Sequence, residues 1–210
     1  MKNEVVFWDK MAGRYFEKPI SNIDAYEEKL RMTRELFTSD STVLEFGCGT
    51  GGTALRHAPH VKRILATDIS NGLLKIAREQ AADQGVSNVA FEQANIVDFD
   101  ASPESFDVVL GLSILHLLKD PAVVIERVRT WLKPGGYFVS STACLGDKMG
   151  WFRYVGPIGR AIGKMPYVNV FSTDDCIRYL TDAGIRIETH WRPEGEHAVF
   201  IIAQKPALDA

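Results

Sequence analysis

The sequence predicts an α/β protein whose mainly parallel sheet ends in an antiparallel hairpin. From Thr42 onward, short apolar runs alternate with segments of helical periodicity, the pattern of βαβ units. A glycine cluster, Gly47-Cys48-Gly49-Thr50-Gly51-Gly52, follows directly on the first of those runs. Near the C-terminus only Arg192-Pro193-Glu194-Gly195-Glu196 separates two strand-like segments, and a link this short joins only antiparallel neighbours.

Residues 3–17 carry Phe7, Met11 and Tyr15 four apart, with Trp8 beside them, which predicts an amphipathic helix ended by Pro19. Asp24 to Phe37 repeats the pattern with Tyr26, Leu30, Leu36 and Phe37 among charged residues. Residues 1–38 therefore form a helical cap ahead of the first strand, packed on the sheet or covering a ligand. Thr42–Phe46 is the first strand and Gly51–Ala58 a helix. Lys62–Thr67 is the second strand, ending at Asp68. Ser70 caps a helix to about Asp83, with Leu73, Leu74, Ala77 and Ala81 on one face and Gly85 stopping it.

Asn88–Ala94 and Phe106–Gly111 are strands three and four. Asp120 and Pro121 read as N-cap and first residue of a helix whose buried stripe is Val124, Val128 and Leu132. Lys133-Pro134-Gly135-Gly136 is expected to be a turn, and Tyr137–Ala143 the fifth strand. Residues 146–171 break the alternation, being rich in glycine, aromatics and Lys/Arg with weak helical spacing. Ser172 or Thr173 then caps a helix to Ala183, and Arg186–Trp191 and His197–Gln204 form the hairpin.

Composition excludes several classes. With 210 residues, 46% hydrophobic and 24% charged, the chain suits one soluble domain. A net charge of −3 argues against a general nucleic-acid binder. The N-terminal ten residues are charged throughout and lack an apolar signal segment, and no apolar run approaches a membrane span. Cys48, Cys144 and Cys176 are odd in number and far apart, so neither a disulfide framework nor a zinc site is expected, and a cytoplasmic location is. His57 and His60 bracket Pro59 with no carboxylate near them in sequence, so no metal site is expected.

Glycines at a strand-to-helix turn let a ligand lie against bare backbone. Gly47, Gly49 and Gly52 satisfy the dinucleotide pattern G-x-G-x-x-G, while Gly47, Gly49 and Gly51 equally satisfy G-x-G-x-G. Asp68, at the end of the next strand, is placed to accept from two ribose hydroxyls in either case. Glu45, two residues before Gly47, is unlike a dinucleotide strand: a buried carboxylate is costly without a partner and implies a polar or cationic ligand. Gly47, Asp68, Asn95 and Gly111–Ser113 all fall at or just past strand ends, where sheets of this kind bind ligands.

The ordered set Val-Leu-Glu-Phe-Gly-Cys-Gly-Thr-Gly, Ala-Thr-Asp-Ile-Ser, Phe-Glu-Gln-Ala-Asn-Ile, Phe-Asp-Val-Val-Leu-Gly-Leu-Ser-Ile-Leu-His and Leu-Lys-Pro-Gly-Gly resembles the class I S-adenosylmethionine-dependent methyltransferases. Within that class it is most similar to the small-molecule group that includes quinone-biosynthesis enzymes. The resemblance implies a Rossmann-like, doubly wound sheet of seven strands forming one methyltransferase domain over residues 1–210. It implies S-adenosylmethionine as cofactor and S-adenosylhomocysteine as product. It places Glu45, Gly47, Gly49 and Gly51 along the methionine half, Asp68 on the ribose, Ile69 on the adenine face, and Asn95 and Ile96 at the adenine edge. Many relatives have Asp where Asn95 stands. Leu112 would run its backbone past the sulfonium, and Tyr15 either closes over the cofactor or packs as an ordinary helix residue.

Direct transfer needs an acceptor atom held in line with the S–CH3 bond, and a base only where the acceptor is acidic. His116, just after strand four, is the candidate base or acceptor contact. His190, His197 and Glu196 read as edge polarity, and Cys144 as a small apolar filler. Residues 146–171 are expected to be the acceptor lid. Trp151, Phe152, Tyr154, Tyr167 and Phe171 are its aromatics, and Lys148, Arg153, Arg160 and Lys164 make it basic. That combination suits an apolar or anionic acceptor, or peripheral contact with lipid; a solvated loop with snorkelling bases has the same composition. Two other functions share the glycine loop: a nicotinamide-dependent oxidoreductase, and a non-catalytic S-adenosylmethionine-binding regulatory module.

Overall fold

The computed structural model describes residues 2–207. Two helices, α1 (Lys2–Glu17) and α2 (Ile23–Arg34), precede β1 (Thr42–Phe46). There follow α3 (Gly52–His57), β2 (Arg63–Asp68), α4 (Asn71–Asp83), β3 (Val89–Gln93) and β4 (Phe106–Leu112). Then come α5 (Pro121–Trp131), β5 (Leu132–Ala143), α6 (Phe152–Ala161), α7 (Thr173–Asp182), β6 (Arg186–Trp191) and β7 (Ala198–Gln204). The seven strands lie in the order β3-β2-β1-β4-β5-β7-β6. β1 pairs in parallel with β2 and β4, and β2 with β3, whereas β7 runs antiparallel to both β5 and β6. The predicted fold class is the observed one.

The chain forms two units. The first comprises the residues up to Asp100 with Phe106–Leu110; the second comprises Ala101–Ser105 and the residues from Gly111 onward. In the first, every residue of β1 is buried, as expected of a strand covered on both faces. Val43, Leu44, Phe46, Ile64, Leu74, Val108 and Val109 are all buried in this unit. α1 seats on the start of α4, where Gly72 lets the helices approach: a Cβ there would lie 3.2 Å from Asp9 Oδ1 and 3.3 Å from Ala12 Cβ. Asp9 Oδ1 accepts from Ser70 Oγ at 2.6 Å and from the Gly72 amide at 3.0 Å, and Ser70 Oγ caps α4 by accepting from Leu73 N–H. Asp9→Ala removes one acceptor from this chain of bonds and is expected to cost about 1–2 kcal/mol in chemical denaturation. An unchanged midpoint would show that α1 is not held there by Asp9.

The second unit buries Trp131, Phe138, Val139, Leu180, Phe200 and Ile201. Two features of it differ from the sequence expectation. Lys133-Pro134-Gly135-Gly136 lies inside β5, which begins at Leu132, and is not a turn. Gly135 takes φ +77°, so the strand kinks without leaving the sheet: the Gly135 N–H donates to the Lys205 carbonyl, and Gly136 accepts from the Lys205 N–H. Pro134 has no N–H to donate, and a proline-glycine pair marks a kink within a strand as well as a turn. The second difference is α6, a regular helix in spite of Pro157, Gly156 and Gly159 within it.

Candidate active site

The glycine loop is held by its own backbone and by the next strand. Cys48 N–H donates to the Thr67 carbonyl at 3.0 Å, Gly51 N–H to the Cys48 carbonyl at 2.9 Å, and the Gln80 amide to the Thr50 carbonyl at 2.8 Å. Gly47, Gly49 and Gly51 take φ +67°, +57° and +78°, the left-handed region that side chains other than glycine rarely occupy. A Cβ on Gly51 would lie 2.9 Å from both Ala77 Cβ and Phe91 Cε1. Gly52 opens α3 with no positive φ, and nothing lies within 4 Å of a Cβ there. The backbone thus distinguishes the two parses: the glycines that must be glycine are those of G-x-G-x-G. α3 itself has only six residues and Gly51 gives it no side-chain cap, so its dipole adds little to the site.

Two carboxylates flank the loop. Glu45 is 3% exposed, and its Oε2 is buried without a hydrogen-bond partner. Burial, and secondly the neighbouring Asp68 charge, push its pKa up to about 8. Asp68 is also buried. Its Oδ2 accepts from Gly49 N–H and its Oδ1 from Ser70 N–H, both at 2.9 Å, so one carboxylate clamps the ends of β1 and β2. Burial raises its pKa, opposed by these backbone bonds. A carboxylate has about four acceptor sites, so Asp68 retains capacity for further donors.

The N-terminal helices close over this loop. The Tyr15 ring lies 3.4 Å from where a Cβ of Gly49 would be and meets Trp8 edge to face at 6.0 Å. Tyr15 keeps 45% of its surface, yet its phenol end is enclosed. Burial first, then the Asp68 and Glu45 charges, raise its pKa. Tyr26 of α2 pairs with Thr53 Oγ1 at 3.1 Å beneath Arg56, whose guanidinium sits 5.4 Å from the ring centroid. Glu45 also raises the Tyr26 pKa, after burial as the main cause. Tyr26, Thr53, Gln80 and Asp9 were not singled out as site residues in the sequence, because nothing in a helical periodicity marks which polar group faces a loop far along the chain.

Ile69, half-buried just past β2, accepts from the Gln93 side chain at 2.9 Å. Asn95 organises the turn after β3: its Oδ1 accepts from Val97 N–H at 3.2 Å and its Nδ2 donates to Asp98 at 2.9 Å. One acceptor position of the amide is thereby occupied. Ile96 is buried. The structure therefore brings Tyr15, Glu45, the three glycines and Asp68 together, with Ile69, Asn95 and Ile96 at strand ends of the same unit.

Leu112 and His116 belong to the second unit. Leu112 ends β4 and leads into Ser113, whose φ of +58° is unusual for a residue with a side chain and whose N–H donates to the Ser141 carbonyl at 2.6 Å. His116 sits in a short 3-10 turn with a buried, unpartnered Nδ1, and burial lowers its pKa to about 4. The imidazole is thus neutral but a weak base. A matched general base contributes roughly 10²–10⁴-fold, so His116→Asn is expected to lower turnover by less than about tenfold. The rate-versus-pH profile should show no limb from His116 above about pH 5; such a limb, removed by the variant, would restore His116 as the base.

Residues 146–171 are tied at both ends. Gly146 N–H donates to the Phe171 carbonyl at 2.8 Å, and a Cβ at Gly146 would stand 2.6 Å from the Phe171 carbonyl carbon. The Asp147 carboxylate accepts from Thr173 N–H and Oγ1 and pairs with Arg192. Asn169 donates its N–H to the His116 carbonyl at 2.7 Å and its side-chain amide to Leu118 and Lys119 carbonyls. Behind this neck Cys144 and Cys176 are buried, and the Cys144 thiol donates to the Thr142 carbonyl at 3.6 Å. His190 and His197 are exposed near the hairpin turn. Among the described residues no cluster of three or more metal-ligating side chains occurs.

Comparison with known proteins agrees with this fold. The family model described as "Methyltransferase domain" matches residues 37–159. The chain is 30% identical over 146 residues to the ubiquinone biosynthesis O-methyltransferase of Serratia proteamaculans (strain 568), covering 67% of this chain and 60% of that protein. It is 26% identical over 216 residues to the "Probable (S)-tetrahydroprotoberberine N-methyltransferase 2" of Papaver bracteatum, covering 95% of this chain and 58% of that one. The chain thus spans about three-fifths of the length of either relative. In fold it is similar to the geranyl diphosphate C-methyltransferase of Streptomyces coelicolor A3(2), solved with Mg2+, geranyl diphosphate and S-adenosyl-L-homocysteine, with a TM-score of 0.72 at 17% identity over 87% of this chain and 79% of that one. With its glycine loop, its strand order and a family model spanning more than half its length, the chain belongs to the methyltransferase-domain family of class I S-adenosylmethionine-dependent methyltransferases.

Proposed function

We propose that this chain transfers a methyl group from S-adenosylmethionine to a small-molecule acceptor, with S-adenosylhomocysteine released. The observation that carries this reading is the buried, unpartnered oxygen of Glu45 next to three glycines in left-handed conformation. An acceptor without a donor, where a bare backbone allows close approach, fits a ligand bearing a positive group. It fits a pyrophosphate poorly, since a carboxylate there would repel it.

In this reading Glu45 accepts from the ammonium of the methionine half, Gly47, Gly49 and Gly51 present backbone to it, and Asp68 uses its remaining acceptor capacity on the ribose hydroxyls. Ile69 packs on the adenine, with Asn95 and Ile96 at its edge. Tyr15 excludes water from the loop, and Leu112 presents backbone to the sulfonium region. The cofactor supplies an electrophilic methyl group on a sulfonium. The protein's part is orientation and dryness, which in well-oriented systems lower a barrier by roughly 7–11 kcal/mol. His116 serves as a neutral hydrogen-bonding wall for the acceptor, and residues 146–171 as its lid. Residues 1–210 act as one methyltransferase domain, with residues 1–38 as its cap. The buried free thiols suit a reducing cytoplasm.

The named relatives act through an O and an N acceptor, and the aromatic and basic lid favours an acceptor that is apolar or anionic. The test is transfer of a labelled methyl group from S-adenosylmethionine into a fractionated metabolite extract. Label recovered in one low-molecular-weight fraction supports the proposal; label confined to macromolecules, or none with cofactor bound, contradicts it.

A further inference from the structure

α6 turns its apolar face outward. Trp151, Tyr154, Val155, Ile158 and Ile162 recur at helical spacing on one stripe, and their exposure ranges from 42% at Val155 to 75% at Tyr154. The opposite arrangement, with the apolar stripe inward, is the rule for a helix on a folded protein. The inner side of α6 is instead held by smaller contacts. Phe152 is half-buried, Gly159 leaves room for Met165, whose Sδ would be 2.8 Å from a Cβ at that position, and Arg160 stacks on Tyr167 at 5.3 Å. The stripe is therefore left over after α6 has been anchored, and the neck at Gly146–Phe171 and Asp147–Thr173 fixes where the segment emerges.

Charge identifies what would cover it. Residues 148–171 contain Lys148, Arg153, Arg160 and Lys164 and no Asp or Glu, in a chain whose net charge is −3. An aromatic and aliphatic stripe flanked only by cations matches an anionic bilayer surface, with the rings among the headgroups and the basic residues against lipid phosphates. A neutral protein partner would leave these cations unmatched, whereas lipid phosphates pair them and the headgroup region accepts Trp151 and Tyr154 at the start of α6.

We propose that α6 and its flanks form a membrane-docking element that seats this protein on an anionic lipid surface without crossing it; no helix among the described residues is long and apolar enough to span. The proposal rests on α6 alone, and its failure would leave the cofactor-site reading untouched. It gives the lid a second role: an apolar acceptor dissolved in a bilayer would be met where the segment docks.

The test is sedimentation of the purified full chain with vesicles of phosphatidylcholine, with and without phosphatidylglycerol. Binding is expected only to the anionic vesicles and should fall as salt is raised. Each basic residue near such a surface multiplies partitioning by roughly fivefold, so Arg153→Gln with Lys164→Gln is expected to lower it about 25-fold. Ile158→Asp should abolish it. These side chains are solvent-exposed, so an unchanged thermal midpoint is expected in both variants and is checked alongside. Absence of vesicle binding, or equal binding by the variants, overturns the proposal. So does a dimer in light scattering that Ile158→Asp dissociates while vesicles are ignored, which would make the stripe an interface between copies.

Discussion

Glu45→Gln is expected to weaken S-adenosylmethionine binding while stabilising the unliganded protein. Hydrogen bonds to charged groups contribute about 1.5–3 kcal/mol, so the variant should bind roughly 10- to 150-fold more weakly. The opposite effect on stability follows from the raised pKa of the buried, unpartnered carboxylate. Its folded pKa of about 8 lies above the ordinary value of 4.5, so the native state binds a proton that the unfolded chain does not hold between those values. The stability contribution is therefore complete below pH 4.5 and is lost as pH rises to about 8, at about 1.4 kcal/mol per unit at most. Glutamine has no such titration, and the variant should be more stable than the parent near pH 8 by about 1–3 kcal/mol. Calorimetric titration checks the loss of affinity, and denaturation midpoints across pH check the gain in stability. Loss of stability together with unchanged affinity would remove Glu45 from the site.

Gly51→Ala and Gly52→Ala, adjacent substitutions of the same chemistry, are expected to differ sharply. At Gly51 the left-handed φ alone costs about 1–2 kcal/mol, and the new Cβ meets Ala77 and Phe91 at 2.9 Å. With overpacking of about 1–3 kcal/mol added, the total is about 2–5 kcal/mol and the loop must shift. At Gly52 the methyl enters open space at the start of α3, where alanine is the better helix former, so stability should change by less than about 1 kcal/mol. Thermal unfolding of both variants checks this. Equal destabilisation would revive G-x-G-x-x-G and with it the nicotinamide reading.

Where strand ends converge, the site was legible because local signals and topology agree. The β1 run, the glycines and Asp68 each have a local sequence signature, and a parallel sheet brings successive strand ends to one edge. Residues supplied from elsewhere had no such signature. Asp9 and Tyr26 reach the loop region from α1 and α2 by tertiary packing, and a helical period does not say which polar residue will face it. In the Leu-Lys-Pro-Gly-Gly stretch the expected turn is a strand, because proline and glycine mark both turns and kinks within strands. Here the partner carbonyl and amide of Lys205, far along the chain, decide for the strand. His116 was placed correctly just after β4, but its weak basicity comes from burial, which the sequence does not state. The outward face of α6 was invisible because Pro157 and the glycines around it hide the helix itself, and a helix would not say which way its stripe points.

The most direct test of the account is calorimetric titration of the full chain with S-adenosylhomocysteine and, separately, with NAD(H), near pH 7 in two buffers of different ionisation enthalpy. The account predicts micromolar binding of S-adenosylhomocysteine with release of close to one proton, as the ligand's ammonium draws Glu45 into its charged form, and no binding of NAD(H). Binding of NAD(H) without S-adenosylhomocysteine, or S-adenosylhomocysteine binding with no proton release and no loss in Glu45→Gln, would contradict it.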